Sequence, residues 1–416
     1  MLGNKNVKYF VFGIYCLSVL IGQSLFVFIP ALQVMRIFSI FLFIFFILYP
    51  AKFYVRRYLF YYCVFIFFYI VTILLSTVRN FSFFNINSFV NYFTIFLILF
   101  NLSIFLSFFD RQEMLILIKK ILYLYLFICN FVAYWEMITQ NHLPVSVFSD
   151  PEHKKWFRFI PTTFFRNEND YMAMYLLIFL LIFSLKKDIL KEKITFLDFV
   201  LFGSLVFQSF ITGARIVQLC LILFILFSFF QRKCIFFLFT ICIGILILLI
   251  HFDFIKNLLS ETFSNHGSNE IRKNLYILAL KTLVARATTV FLGFGMTGAV
   301  DYYRNVDSTL FRGGIEAPHN YLFELILESG LFFASCFLFF TIYIFIKLKK
   351  KKYNSLSFLT LLFFFILCAP ASSSFLWPQH IVLLIIFYCA NFSEKIVSVK
   401  KQYKSGCFPK YIFRYR

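Results

Sequence analysis

The chain has 416 residues, 61% of them hydrophobic and 14% charged, and a formal net charge of +21. Soluble domains carry about a quarter charged residues; this composition therefore excludes an ordinary soluble enzyme, and apolar runs recurring from end to end predict a polytopic membrane protein. The positive balance does not make nucleic acid a partner, because the basic residues fall in short clusters between apolar runs, where membrane topology accounts for them.

Taken in chain order, about twelve spans are expected, near 9–29, 33–49, 58–77, 89–108, 115–135, 170–185, 196–212, 215–230, 234–251, 319–346, 355–371 and 380–393. Each is long enough to approach a hydrocarbon core of about 30 Å. The first run is long and lacks cleavage-site chemistry, so it is expected to stay as a span. The stretch 196–230 exceeds one span, and Thr212-Gly213-Ala214-Arg215 supplies the break, since glycine permits a tight reversal.

Lysine and arginine set the orientation. Lys52, Arg56 and Arg57, then Lys186, Lys187, Lys191 and Lys193, then Lys347 and Lys349–Lys352 all fall on one side of a twelve-span arrangement. That side is expected to be cytoplasmic, with both termini inside. The expected fold is all-α, with about twelve transmembrane helices and a large, partly helical periplasmic loop. The organisation is an N-terminal bundle of about nine spans over 1–251, a periplasmic loop over 252–318, C-terminal spans over 319–393 and a basic cytoplasmic tail over 394–416. Within the loop, Ile271–Arg286 mixes apolar and basic residues at helical spacing and suits an interfacial helix. All three tryptophans, Trp135, Trp156 and Trp377, map to outer ends or outer loops, as interface anchoring predicts. The ten cysteines show no metal or disulfide spacing and read as small buried hydrophobes.

Polar chemistry persists beside lipid at a few places. Asn320, Glu324 and Glu328 are spaced i, i+4, i+8 and share one helix face, with His319 at its outer start. The helix dipole alone accounts for Glu324. Glu328 lies deeper, where an ionisable group costs about 2.5–3.5 kcal/mol on insertion scales and tends to face a cavity. A histidine at the mouth of a polar cavity suits a general base.

Arg215 lies between two apolar runs on the outer side, where positive charge is disfavoured. Two readings stand: a snorkelling arginine at a helix end, or an anion site, since guanidinium makes bidentate bonds to phosphate. Arg272 lies in the large loop with Tyr276 one turn on. Phe165-Arg166-Asn167-Glu168-Asn169-Asp170 precedes the sixth span, where Asn and Asp suit a helix cap; Arg166 and Asn169 then lie on the outer face. Gly293-Phe294-Gly295-Met296-Thr297-Gly298 matches a dinucleotide fingerprint in letters only. It lacks the strand and the acidic residue that such a site needs, and reads instead as a flexible turn that lets backbone pass close to the site.

The order of these motifs resembles that of the O-antigen ligase and O-antigen polymerase family of bacterial inner-membrane glycosyltransferases. The residues that carry the resemblance are Phe165–Asn169, Gly213-Ala214-Arg215, Arg272 with Tyr276, Leu292-Gly293-Phe294-Gly295, and His319-Asn320 with Glu328-x-Gly330. The family more often has Ser at the position of Ala214, Pro at Glu168 and Trp at Tyr276.

The resemblance implies an undecaprenyl-pyrophosphate-linked oligosaccharide as donor, displayed on the periplasmic side, and transfer without a metal ion or other cofactor. Arg215 and Arg272 would hold the pyrophosphate and His319 would activate the acceptor hydroxyl. Asn320, Glu324, Glu328, Arg166 and Asn169 would support these groups or bind sugar. The partners implied are the lipid bilayer, an acceptor glycan (a second lipid-linked repeat unit or a lipopolysaccharide core) and a chain-length regulator.

The lean within the family is to a repeat-unit polymerase, with ligase as the alternative. A polysaccharide flippase is a more remote reading, because the conspicuous charges cluster at the outer face rather than along a route. A metal-dependent transferase using a polyprenyl monophosphate sugar is disfavoured by the absence of Asp and Glu from Gln23–Arg36.

Overall fold

The computed structural model describes residues 5–22, 33–48, 86–146, 159–165, 167–231, 287–294 and 321–349, with a few single positions between 67 and 387. Of the described residues 84% are helical and none lies in a strand, so the all-α expectation holds for them. The helices are α1 (Lys5–Ile21), α2 (Val34–Leu48), α3 (Ile86–Ser107) and α4 (Arg111–Thr139). They continue with α5 (Glu168–Ser184), α6 (Phe196–Ile211), α7 (Arg215–Gln231), α8 (Ala287–Leu292) and α9 (Tyr321–Lys349). A π-helical turn, Leu185–Ile189, follows α5 without a break.

Helix α5 is the centre of the described bundle. Every residue from Asp170 to Ser184 is buried, and α4, α6 and α7 pack around it. A helix that is apolar on all sides belongs in an interior. Its neighbours are one-sided: α4 buries Leu122, Leu126 and Cys129 and leaves Phe127, Phe131 and Ile138 exposed. Phe179 and Phe183 meet Phe224 of α7 edge-on, with centroids 5.8 and 5.3 Å apart. Such pairs contribute about 0.5–1.5 kcal/mol beyond their burial. Helix α1 packs on α2 and α4, and α2 packs on α3. Tyr15, Ser39 and Asn101 tie that group together: the Tyr15 and Ser39 hydroxyls lie 3.0 Å apart, and Asn101 Nδ2 donates to Ser39 O at 2.8 Å.

One end of the bundle is rich in lysine. Lys186 donates to Asp198, and Tyr123 of α4 donates to the other oxygen of the same carboxylate. Asp198 also closes a capping box with Thr195, accepting its N–H at 2.6 Å. Lys119 meets the Glu192 carboxylate at 2.5 Å. A buried ion pair stabilises only when hydrogen bonds satisfy its remaining lone pairs, and here Tyr123 and Thr195 do so. Asp188 accepts from the backbone N–H and the hydroxyl of Ser357, at 2.9 and 3.0 Å.

Boundaries read from hydropathy agree well for α2, α6 and α7. Helix α1 starts at Lys5 rather than near 9, and α4 runs on to Thr139, where Gln140 takes a left-handed φ of 56° and ends it. The expected span 319–346 is not one continuous helix: α9 breaks at Gly330, with φ 77° and ψ 174°. Expected spans 58–77, 234–251, 355–371 and 380–393, the interfacial helix 271–286 and the tail 394–416 lie outside the described residues, apart from single positions. Among the described residues, one helix, Gln112–Thr139, is long and apolar enough to cross a membrane.

Candidate functional site

Hydrogen bonds between α4, α5 and α6 fix which residues share an end of the bundle. At the lysine end Tyr123 meets Asp198. Midway, Asn130 Nδ2 donates to the Tyr175 hydroxyl at 2.6 Å, and the Ser204 hydroxyl bonds both Asn130 and Tyr134. At the far end Tyr171 donates to Gln208. So the last turn of α4, the first turn of α5 and the last turn of α6 come together at the end away from Lys186. The residues expected to act, Asn169 and Arg215, stand at that end.

Arg215 is the first residue of α7 and is exposed. Its position follows from a tight turn. Gly213 takes φ 63°, a left-handed value that glycine adopts without steric cost. The Thr212 N–H bonds Gln208 O at 2.9 Å, and the Ala214 N–H bonds Ser209 O at 3.2 Å. A cation in the first turn of a helix opposes the macrodipole, by about 0.3–1 kcal/mol. Helix stability therefore does not explain an arginine there.

Asn169 lies in the first turn of α5, half-buried, and donates to the Glu168 carboxylate at 3.0 Å. The expected cap is present: the Asn167 side chain accepts the Asp170 N–H at 2.9 Å. Arg166 lies outside the described residues.

A carboxylate that the sequence reading did not single out organises the same end. Glu136, in the last turn of α4, is 0% exposed. Its Oε2 accepts the N–H groups of Thr162 and Thr163 at 2.8 and 2.9 Å, and its Oε1 accepts that of Leu143 at 3.1 Å. Thr163 holds φ 49°, strained for a β-branched residue, and the Glu136 bonds keep it there. His142 Nδ1 lies 3.8 Å from Glu136 Oε1. The clamp fixes the chain just before Phe165 and the capped start of α5. A lone acid at the end of an apolar run, beside Trp135, was the available sequence signal.

Replacing Glu136 tests this clamp. Glu136→Ala leaves three backbone donors unsatisfied, each costing about 1–3 kcal/mol when buried. We expect a lower melting temperature in detergent in the order wild type, Glu136→Gln, Glu136→Ala. Equal melting of the alanine variant and wild type contradicts it.

The remaining expected site residues divide between α9 and stretches outside the described residues. Glu324 and Glu328 lie in α9 before its break, four residues apart. At the break, Gly330 meets the end of α8: a Cβ there would lie 2.2 Å from Phe291 O. The Phe294 N–H bonds Leu327 O at 2.7 Å, the carbonyl that an unbroken helix gives to residue 331. Leu292-Gly293-Phe294 is thus docked on α9, with Gly293 at φ 73°. The expected flexible turn is, at residues 293 and 294, a hydrogen-bonded contact with α9. Residues 295–298, Arg272, His319 and Asn320 lie outside the described residues.

Comparison with family models, with curated proteins and with solved structures returns no match.

Proposed function

We propose that this chain is a multi-pass inner-membrane glycosyltransferase of the O-antigen polymerase/ligase type. It has about twelve spans, both termini in the cytoplasm and its site at the periplasmic face. It transfers an undecaprenyl-pyrophosphate-linked glycan to an acceptor sugar hydroxyl, as a repeat-unit polymerase. The observation that carries the reading is the grouping of the motifs on which the resemblance rests. Asn169 and Arg215 stand at one end of the bundle, and Leu292–Phe294 docks on the α9 segment that holds Glu328 and Gly330. The exposed phenylalanines on the outward faces of α2, α4, α6 and α9, among them Phe41, Phe131, Phe196 and Phe339, suit a lipid-facing surface.

In this reading Arg215 and Arg272 grip the pyrophosphate. The acceptor hydroxyl attacks the anomeric carbon as its proton passes to the His319 imidazole. The bond from that carbon to the pyrophosphate oxygen breaks, and undecaprenyl pyrophosphate leaves with the bonding pair. Two guanidiniums stabilise the charge that gathers on the leaving group, and the imidazole is the general base. Asn320, Glu324, Glu328, Arg166 and Asn169 orient the imidazole or bind sugar hydroxyls.

Deletion with glycan analysis tests the reading. Loss of a polymerase leaves a single repeat on the lipopolysaccharide core, the expected result. Polymer stranded on its lipid carrier would identify a ligase instead, and unchanged glycan would exclude both. Orientation has its own measurement: a cysteine replacing Gly267 reacts with an impermeant thiol reagent from outside intact inner-membrane vesicles of native orientation. Labelling only after lysis reverses the assigned sides.

A further inference from the structure

Asn169 begins α5 and Arg215 begins α7, and one buried contact joins the start of α5 to the end of α6, the helix whose closing turn leads into α7. The Tyr171 hydroxyl donates to Gln208 Oε1, and both side chains are fully buried. Tyr171 belongs to the first turn of α5: its N–H bonds Asn167 O at 3.3 Å, across Asn169. Gln208 belongs to the turn that presents Arg215: its carbonyl accepts both the N–H and the hydroxyl of Thr212, at 2.9 and 2.8 Å. The next carbonyl, Ser209 O, accepts the Ala214 N–H and the Gln218 side chain, at 3.2 and 2.9 Å. Tyr171 is thus tied to the residue before Arg215 through two hydrogen bonds and the intervening backbone of Gln208 and Ser209.

The direction of these bonds is over-determined. Asn130 Nδ2 is committed to Leu126 O at 2.9 Å and to the Tyr175 hydroxyl at 2.6 Å. Its Oδ1 therefore faces Gln208, which presents Nε2 to it at 2.8 Å. Gln208 Nε2 also reaches the Ser204 hydroxyl at 3.0 Å. That leaves Gln208 Oε1 for Tyr171, so the amide cannot turn over without losing several bonds at once.

We infer that Tyr171 and Gln208 are positioning residues, which hold Arg215 in register with the start of α5 for binding a lipid-linked pyrophosphate. The inference rests on the proposed function and adds to it the device that sets the anion site. Interhelical hydrogen bonds add little net stability in a membrane bundle, so stability alone does not account for a buried network in which Gln208 meets Tyr171, Asn130 and Ser204 together. What hydrogen bonds add is a single geometry, and a displacement of about 1 Å in a site is enough to weaken its function severely.

The test is binding of undecaprenyl pyrophosphate to the purified full chain in lipid nanodiscs, with undecaprenol as the control lipid. Wild type is expected to prefer the pyrophosphate, and Arg215→Ala to lose that preference. Tyr171→Phe removes one oxygen, and Gln208→Met keeps the length while removing the acceptor. Each is expected to weaken Kd for undecaprenyl pyrophosphate about tenfold, the scale of coupling between contacting groups, with binding stoichiometry and undecaprenol affinity unchanged. A purely structural role would instead lower the fraction of active protein and leave Kd alone; that outcome overturns the inference, as does wild-type Kd in either variant. If wild type shows no preference for pyrophosphate, the proposed function fails and this inference falls with it. If Arg215→Ala loses the preference and Tyr171→Phe and Gln208→Met keep it, only this inference fails.

Discussion

Alanine at Arg215, Arg272 or His319 is expected to abolish long glycan chains while the protein still accumulates in the membrane. The expected size of each effect follows from what is removed. Loss of one preorganised group that meets developing charge lowers turnover about 10²–10³-fold. Loss of a general base lowers it about 10²–10⁴-fold. Either leaves too little activity to build a ladder of repeats. For Arg215 the structure also predicts that abundance is spared. The side chain is exposed at the first position of α7, and removing a cation from a helix N-terminus relieves an unfavourable interaction with the dipole. Arg215→Lys keeps the charge without the bidentate geometry, so it should recover part of the chain length. Glycan ladders on gels, beside immunoblots of membranes, decide the matter. Normal ladders from all three alanine variants at normal expression would remove the mechanism.

Much of the described fold was legible because it depends on local signals. The apolar run at 33–49 became Val34–Leu48, and 196–212 became Phe196–Ile211. Gly213 marked the reversal before Arg215 because a left-handed turn needs a residue without a Cβ. The Asn167 cap was legible for the same reason: the bond it makes spans three residues.

What was not legible depends on partners distant in sequence. Glu136 reads as an isolated acid until the chain returns 26 residues later to present Thr162. Gln208 reads as one polar residue in an apolar run until Tyr171, 37 positions away, meets it. A candidate site residue is legible in sequence by its chemical type and its place beside an apolar run. Span counting already put Asn169 and Arg215 on one side, whereas the docking of Leu292–Phe294 on α9 is a fact of packing with no local signature.

Gly330 is the plainest case, and its replacement should have the second large effect. Glycine inside an apolar run usually signals only a weaker helix, by about 1 kcal/mol. Here the backbone takes φ 77° and ψ 174°, a region that is essentially restricted to glycine and costs other residues about 1–3 kcal/mol. An added Cβ would also lie 2.2 Å from Phe291 O, 2.4 Å from Phe291 C and 2.6 Å from Leu292 N. These are backbone atoms of α8, so no side chain can rotate away to make room. Overpacking adds about 1–3 kcal/mol more, and separating α8 from α9 breaks the bond from the Phe294 N–H to Leu327 O.

Gly330→Ala should therefore lower the melting temperature and abolish glycan polymer together, although Arg215, Arg272 and His319 are untouched. Gly203→Ala is the control: Gly203 is in α6, and a Cβ there meets nothing within 4 Å. Alanine is the better helix former there, so this variant should melt at or slightly above wild type and make normal ladders. If Gly330→Ala behaves like Gly203→Ala, then α8 does not press on the break in α9, and the chain from Leu292 to Phe294 does not brace the segment that holds Glu324 and Glu328.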